Sequence, residues 1–216
     1  ALFRCSRSGL LVFCDADVRV DPEAIAHLYS EATRKSRLCL IAATEIPDGP
    51  ASAGFWWKLG ALPYRFDFGN VGGRLFLIRK NALRRPLPED LLLEDAWITV
   101  AVGKKNVCKL KSARVFFVPP LTWSDYFAER VRAEGGKIQI RRQYKHLLIA
   151  GPVAKYPWKD ILRKVKVREY VHVIFILATR CAARVVAYLR LTRSDFYSLY
   201  RPFKSTKDWS TGGRKS

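Results

Sequence analysis

Residues 10–25 read L-L-V-F-C-D-A-D-V-R-V-D-P-E-A-I, and the class of fold turns on how this run breaks. Leu10 to Cys14 is a short apolar run, which predicts a buried strand. Asp15-Ala16-Asp17 ends it with two carboxylates. Asp21-Pro22-Glu23 then carries helix-start signals: Asp at the N-cap, Pro at the first helical position and an acid in the first turn. Ala24, Ile25, Leu28 and Ala32 follow at helical spacing. Leu38 to Ala43 is the next strand candidate, so the segment reads strand–helix–strand, the unit from which α/β sheets are built.

Working outward, a Gly/Pro/Ala-rich stretch (Pro47 to Gly54) leads into an aromatic segment from Phe55 to Phe68. That segment fits a buried core, since aromatic side chains bury large areas, and an acceptor-stacking surface is the other reading. Gly69 to Gly73 predicts a turn, and Arg74 to Arg79 a strand. Glu89-Asp90 and Glu94-Asp95 flank three leucines ahead of an apolar helix, Ala96 to Val102, that stops near Gly103. Two further strands are expected at Val107 to Leu110 and Ala113 to Val118. No internal repeat is found.

With 216 residues, 49% of them hydrophobic and 12% aromatic, the chain is long enough to bury a core and too aromatic to be disordered throughout. Its five cysteines are odd in number, widely separated and free of C-x-x-C pairs, which argues against a disulfide scaffold or a zinc ribbon and suits a reducing compartment. His27, His146 and His172 lack metal-ligand spacing. The formal charge of +20 is concentrated: residues 130–168 hold twelve Lys or Arg against Glu134 and Asp160. Tyr170 to Leu191 is mostly apolar but interrupted by Arg180 and Arg184. A spanning helix needs about 20 apolar residues without central charge. This segment is therefore expected to lie in the membrane interface with its arginines reaching headgroups. A core helix with snorkelling arginines is the alternative.

Asp15 and Asp17 follow a strand directly, at the edge where open α/β sheets place their ligands. Two hard carboxylates suit Mg²⁺ or Mn²⁺, which take the rest of their shell from water and substrate phosphates; D-x-D pairs at strand ends also serve as plain caps and turns. Glu94-Asp95 opens a helix, whose N-terminus keeps a carboxylate ionised and able to act as a general base, or simply to cap. Glu89 and Asp90 read as a structural pair.

In order, residues 10–25, G-N-V-G-G-R-L-F-L-I-R-K-N-A-L (69–83), L-L-L-E-D-A-W-I-T-V (91–100) and A-E-R-V-R-A-E-G-G (128–136) resemble the family 2 glycosyltransferases of the GT-A fold, over roughly residues 9 to 145. The resemblance implies an α/β GT-A-like domain and inverting, metal-dependent transfer of a sugar from a nucleotide diphosphate, a UDP-sugar, to a lipid-linked or envelope glycan hydroxyl. Asp15 and Asp17 match the D-x-D that engages the nucleotide ribose and the metal, with Asp17 metal-facing and Mg²⁺ or Mn²⁺ as the cofactor. Asp95 matches the base that deprotonates the acceptor. Arg132 matches the Arg of Q-x-x-R-W, which helps hold the diphosphate. Glu129 stands where that motif has Gln and Ala133 where it has Trp, which counts against processive synthesis.

Members of that family begin with a strand–helix–strand–helix region that binds the nucleotide base ahead of the D-x-D. This sequence has no Met and opens Ala1-Leu2-Phe3, so an internal start is expected, and with it poor folding or inactivity of these 216 residues alone; a processed mature protein is the alternative. The organisation expected is a GT-A-like domain over 1–145, incomplete at its N-terminus, and a basic, helical, membrane-associated region over 146–216. Basic residues beside an amphipathic helix suit anionic lipid at the cytoplasmic face of the cell membrane. The rival reading, a nucleic-acid-binding protein, draws on the charge and a pI near 10.1 but sets two acidic pairs beside the cationic surface. An inactive transferase-like scaffold is the third reading.

Overall fold

The computed structural model describes residues 8–49, 54–66, 71–83, 87–88, 90–145 and 163–191. The chain is a mixed α/β protein built on one five-stranded sheet of order β1-β4-β3-β5-β2. Its strands are β1 (Leu10–Cys14), β2 (Val18–Val20), β3 (Leu40–Pro47), β4 (Leu75–Arg79) and β5 (Val107–Phe117). Among the described residues five α-helices accompany them: α1 (Ala24–Arg34), α2 (Phe55–Ala61), α3 (Glu94–Val102), α4 (Trp123–Gln143) and α5 (Tyr170–Leu191).

The strand–helix–strand reading of residues 10–43 holds, but β1 and β3 are not neighbours. β4 lies between them, antiparallel to both, which leaves β1 and β3 running the same way with their C-terminal ends on one edge. β5 pairs parallel with β3 and antiparallel with β2. Where two strands are expected between 107 and 118 there is one. Its register against β3 jumps from Ala43↔Leu110 to Thr44↔Arg114, so Lys111 to Ala113 form a bulge in which exposed Lys111 and Ser112 split the apolar pattern while Ala113 is buried. β2 was not expected, because three residues are too short for an alternation signal.

Side chains alternate across the sheet as the pleat requires. Ile41, Ala43, Leu75 and Leu77 face α1, where Ala24, Leu28 and Ala32 are fully buried. Leu40, Ala42, Phe76 and Ile78 face the other way, onto Trp97, Ile98 and Val102 of α3 and Ile140 of α4. α1 starts at Ala24 rather than Pro22: Asp21 accepts from the Glu23 amide (3.2 Å) in a turn that precedes the helix. Arg79 ties the C-terminal end of α1 to the sheet, donating to the carbonyls of Ala32 and Leu38. Gly103, at φ 84°, ends α3 in a backbone region that other residues rarely enter.

α4 begins at Thr122, whose hydroxyl accepts from the Asp125 amide (3.2 Å). Gly136 lets it approach the 92–93 backbone, since a Cβ there would collide with Leu93. Gln139, fully buried, clamps the same loop to α4: it accepts from the Leu92 amide (3.0 Å) and donates to the Asp90 carbonyl (2.8 Å). Asp90 is thus structural, as expected; Glu89 lies outside the described residues. α5 is the expected apolar helix and packs on α4 through Ala183, Ala187 and Leu191 against Val131 and Ile138. Arg180 turns inward to Glu134 of α4 (3.4 Å), not outward as expected, while Arg184 is exposed. Cys14, Cys39, Cys108 and Cys181 are free thiols.

Candidate active site

The parallel run of β1 and β3 brings their C-terminal ends to one edge, and the N-terminus of α3 reaches it from one face of the sheet. Asp15 follows β1 directly. Its amide donates to the Arg74 carbonyl (2.9 Å), extending the β1–β4 pairing by one residue and fixing where the carboxylate leaves the strand. Burial pushes the Asp15 carboxyl above its usual range, with Asp17 and Glu45 adding to the rise and Arg74 and Arg132 opposing it. Asp17 stands exposed in the turn between β1 and β2.

Asp95 lies in the first turn of α3, half-buried, with one carboxylate oxygen accepting from the Ala96 amide (2.8 Å). Gly73 packs against it: a Cβ at 73 would sit 3.0 Å from the Asp95 Cβ. Burial raises the Asp95 pKa to about 6; Glu45 adds to the rise, while the Ala96 hydrogen bond, Arg132 and Arg74 hold it down. Arg132, half-buried on α4, thus acts on both Asp15 and Asp95. Three of the four residues singled out in the sequence therefore share one electrostatic environment, and Asp17 joins it through Asp15.

Two residues of this environment were not anticipated. Glu45, the only charged residue of β3, is buried and ion-paired with Arg74 at 3.0 Å. The same Arg74 nitrogen donates to the Tyr64 hydroxyl (3.0 Å), and the guanidinium lies 3.6 Å over the Phe117 ring. Burial disfavours the charge on Arg74, but Tyr64, Glu45 and Glu129 outweigh it and hold its pKa above the ordinary arginine range. Gly72 makes room for the Glu45 carboxylate, into which a Cβ at that position would run. The signal was present in the sequence: a lone carboxylate inside an apolar strand is expensive unless paired.

Asp15 and Asp17 are the carboxylates that could take Mg²⁺ or Mn²⁺, and the Asp17 charge acts on Asp15. Such ions settle for one or two carboxylates and complete their shell with water and phosphate oxygens. Among the described residues no group of three or more His, Cys, Asp or Glu is placed to hold a metal by protein ligands alone. His27 is engaged with the Ser112 carbonyl (2.9 Å) and His172 stacks on Phe55; His146 lies outside the described residues. The aromatic segment is divided in role: Trp56, Trp57, Tyr64 and Phe66 are half-buried, Trp57 donating to the Asp48 carbonyl (3.0 Å), while Phe55 is 38% exposed; Phe68 lies outside the described residues.

No protein-family description and no curated protein matches this chain. Among solved structures it is similar to the mannosyltransferase PcManGT from Pyrobaculum calidifontis, in complex with GDP-Man and Mn²⁺, at 18% identity and a TM-score of 0.49. The similarity covers 97% of this chain, which spans 60% of the length of that one.

Proposed function

We propose that the protein is a GT-A-like glycosyltransferase of family 2 type. It would carry out inverting, metal-dependent transfer of a sugar from a nucleotide diphosphate to a lipid-linked or envelope glycan hydroxyl, at the cytoplasmic face of an anionic membrane. One observation carries the reading: a half-buried carboxyl with a pKa of about 6, Asp95, shares two guanidiniums with the strand-end carboxylate Asp15. Positive charge and a general base then stand at one sheet edge, which is what sugar transfer from a diphosphate requires.

The chemistry follows from these groups. The bond between the anomeric carbon and the diphosphate oxygen breaks, and its electron pair leaves with the nucleoside diphosphate. The acceptor oxygen forms the new bond on the opposite face, and its proton passes to Asp95. One Asp95 oxygen is held by the Ala96 amide, so the other is the one to take that proton. A pKa of about 6 leaves the group ionised at neutral pH yet basic enough to help. Arg132 and Arg74 oppose the negative charge that builds on the leaving diphosphate. Asp15 and Asp17 would hold a divalent ion, which supplies Lewis-acid neutralisation of the diphosphate when bound.

The test is release of nucleoside diphosphate from a panel of nucleotide sugars, UDP-hexoses first, by the protein with Mn²⁺ and a polyprenyl-phosphate-linked glycan acceptor. Acceptor-dependent release that EDTA abolishes is expected. Release that ignores the acceptor, or none with any donor, contradicts the reading.

A further inference from the structure

α5 is long and apolar enough to cross a membrane by length and composition alone. Its packing on α4 instead favours a helix lying along the protein. One side is buried on α4 through Ala183, Ala187 and Leu191, with the Arg180–Glu134 pair among them. The side turned away from the protein is also apolar: Val171, Ile174, Leu177, Val185 and Tyr188 are 38–66% exposed. Ala178, Cys181 and Ala182 fill the spaces between them, all exposed. Phe55, Leu121 and Trp123 are exposed as well, and Trp123 and Phe55 both meet Phe175 of α5 edge-on at about 5.5 Å.

The cations lie around this face. Arg163, Lys164, Lys166 and Arg168 are all exposed just ahead of the helix, and Arg184 and Arg190 are exposed along it. No carboxylate occurs between Tyr170 and Leu191. A second copy seated on the face would bring like charges together. Leu177 and Ala182 also widen the face beyond the two-in-seven seam by which helices pair. An anionic bilayer meets both requirements, taking the apolar face below its headgroups and the guanidinium and ammonium groups among them.

We infer that α5, together with the Phe55/Leu121/Trp123 edge, is an in-plane membrane seat that holds the protein on an anionic bilayer without crossing it. This rests on the membrane part of the reading above and is tested without turnover. Flotation with phosphatidylcholine vesicles containing phosphatidylglycerol should carry the protein up. Pure phosphatidylcholine should not, and raised salt should weaken the association. Ile174→Glu with Val185→Glu, at positions 66% and 60% exposed, should cut vesicle binding at least tenfold with the circular dichroism unchanged.

Cys181 sits mid-face and reports depth once Cys5, Cys14, Cys39 and Cys108 are replaced by Ser. A fluorophore there should be quenched more by shallow than by deep lipid spin labels. Deep quenching overturns the in-plane seat. So do failure of the unmodified protein to float with anionic vesicles and Cys181-linked dimers in place of lipid binding.

Discussion

The Glu45 carboxylate and the Arg74 guanidinium pair at 3.0 Å, and both act on the carboxyls of Asp15 and Asp95, Glu45 raising and Arg74 lowering pKa values that burial has already pushed up. Breaking such a pair from one side leaves an uncompensated charge. Arg74→Met is expected to cost about 3–5 kcal/mol in urea unfolding. Glu45→Gln combined with Arg74→Met should cost less than the sum of the single changes. Gly72→Ala, which forces the Glu45 carboxylate aside, should cost about 1–3 kcal/mol.

Asp95 predicts an unusual pH response. Its folded pKa of about 6 lies above the 3.8 of an ordinary aspartate, so between those values the native state holds more proton than the unfolded one. Stability from this group therefore rises as pH falls through 6 and levels off below 4, by about 3 kcal/mol. Asp95→Asn should remove that rise and be the more stable protein at pH 7. Urea unfolding of both proteins from pH 4 to 8 isolates the effect from Glu31, Glu134 and Glu169, whose lowered pKa values act oppositely.

Much of this arrangement was legible in the sequence, and the part that was not has a physical reason. The strand–acid–helix pattern around Asp15 and the helix start at Asp95 are local signals; both helices form, α1 two residues later than its start signals and after the short β2 that no pattern announced. Glu45 and Arg74 escaped notice because their pairing is between strands, through the insertion of β4 beside β3, and no local pattern states which strands become neighbours. The single long β5 read as two strands because its bulge interrupts the apolar run. Arg180 looked like a headgroup ligand because α4, which supplies Glu134, is distant in sequence.

Asp17 stands exposed beside Asp15 and is expected to face the metal. Asp17→Asn should weaken nucleotide-sugar affinity by about tenfold or more in Mn²⁺. In EDTA the variant and the parent should bind alike. Titration calorimetry with and without metal distinguishes this from a general loss of folding.

Gln139 positions the loop that leads into α3. Gln139→Leu removes two hydrogen bonds and leaves the Leu92 amide unsatisfied, at an expected cost of about 2 kcal/mol. Because that loop delivers Asp95, turnover should fall more than donor affinity does.

The most direct test compares Asp95→Asn with the parent for both donor binding and sugar transfer. The account predicts transfer reduced by about a hundredfold or more, with the donor dissociation constant in Mn²⁺ changed by less than about threefold. Near-normal transfer by Asp95→Asn would contradict the assignment of Asp95 as the base and, with it, the reading of this sheet edge as the site of transfer.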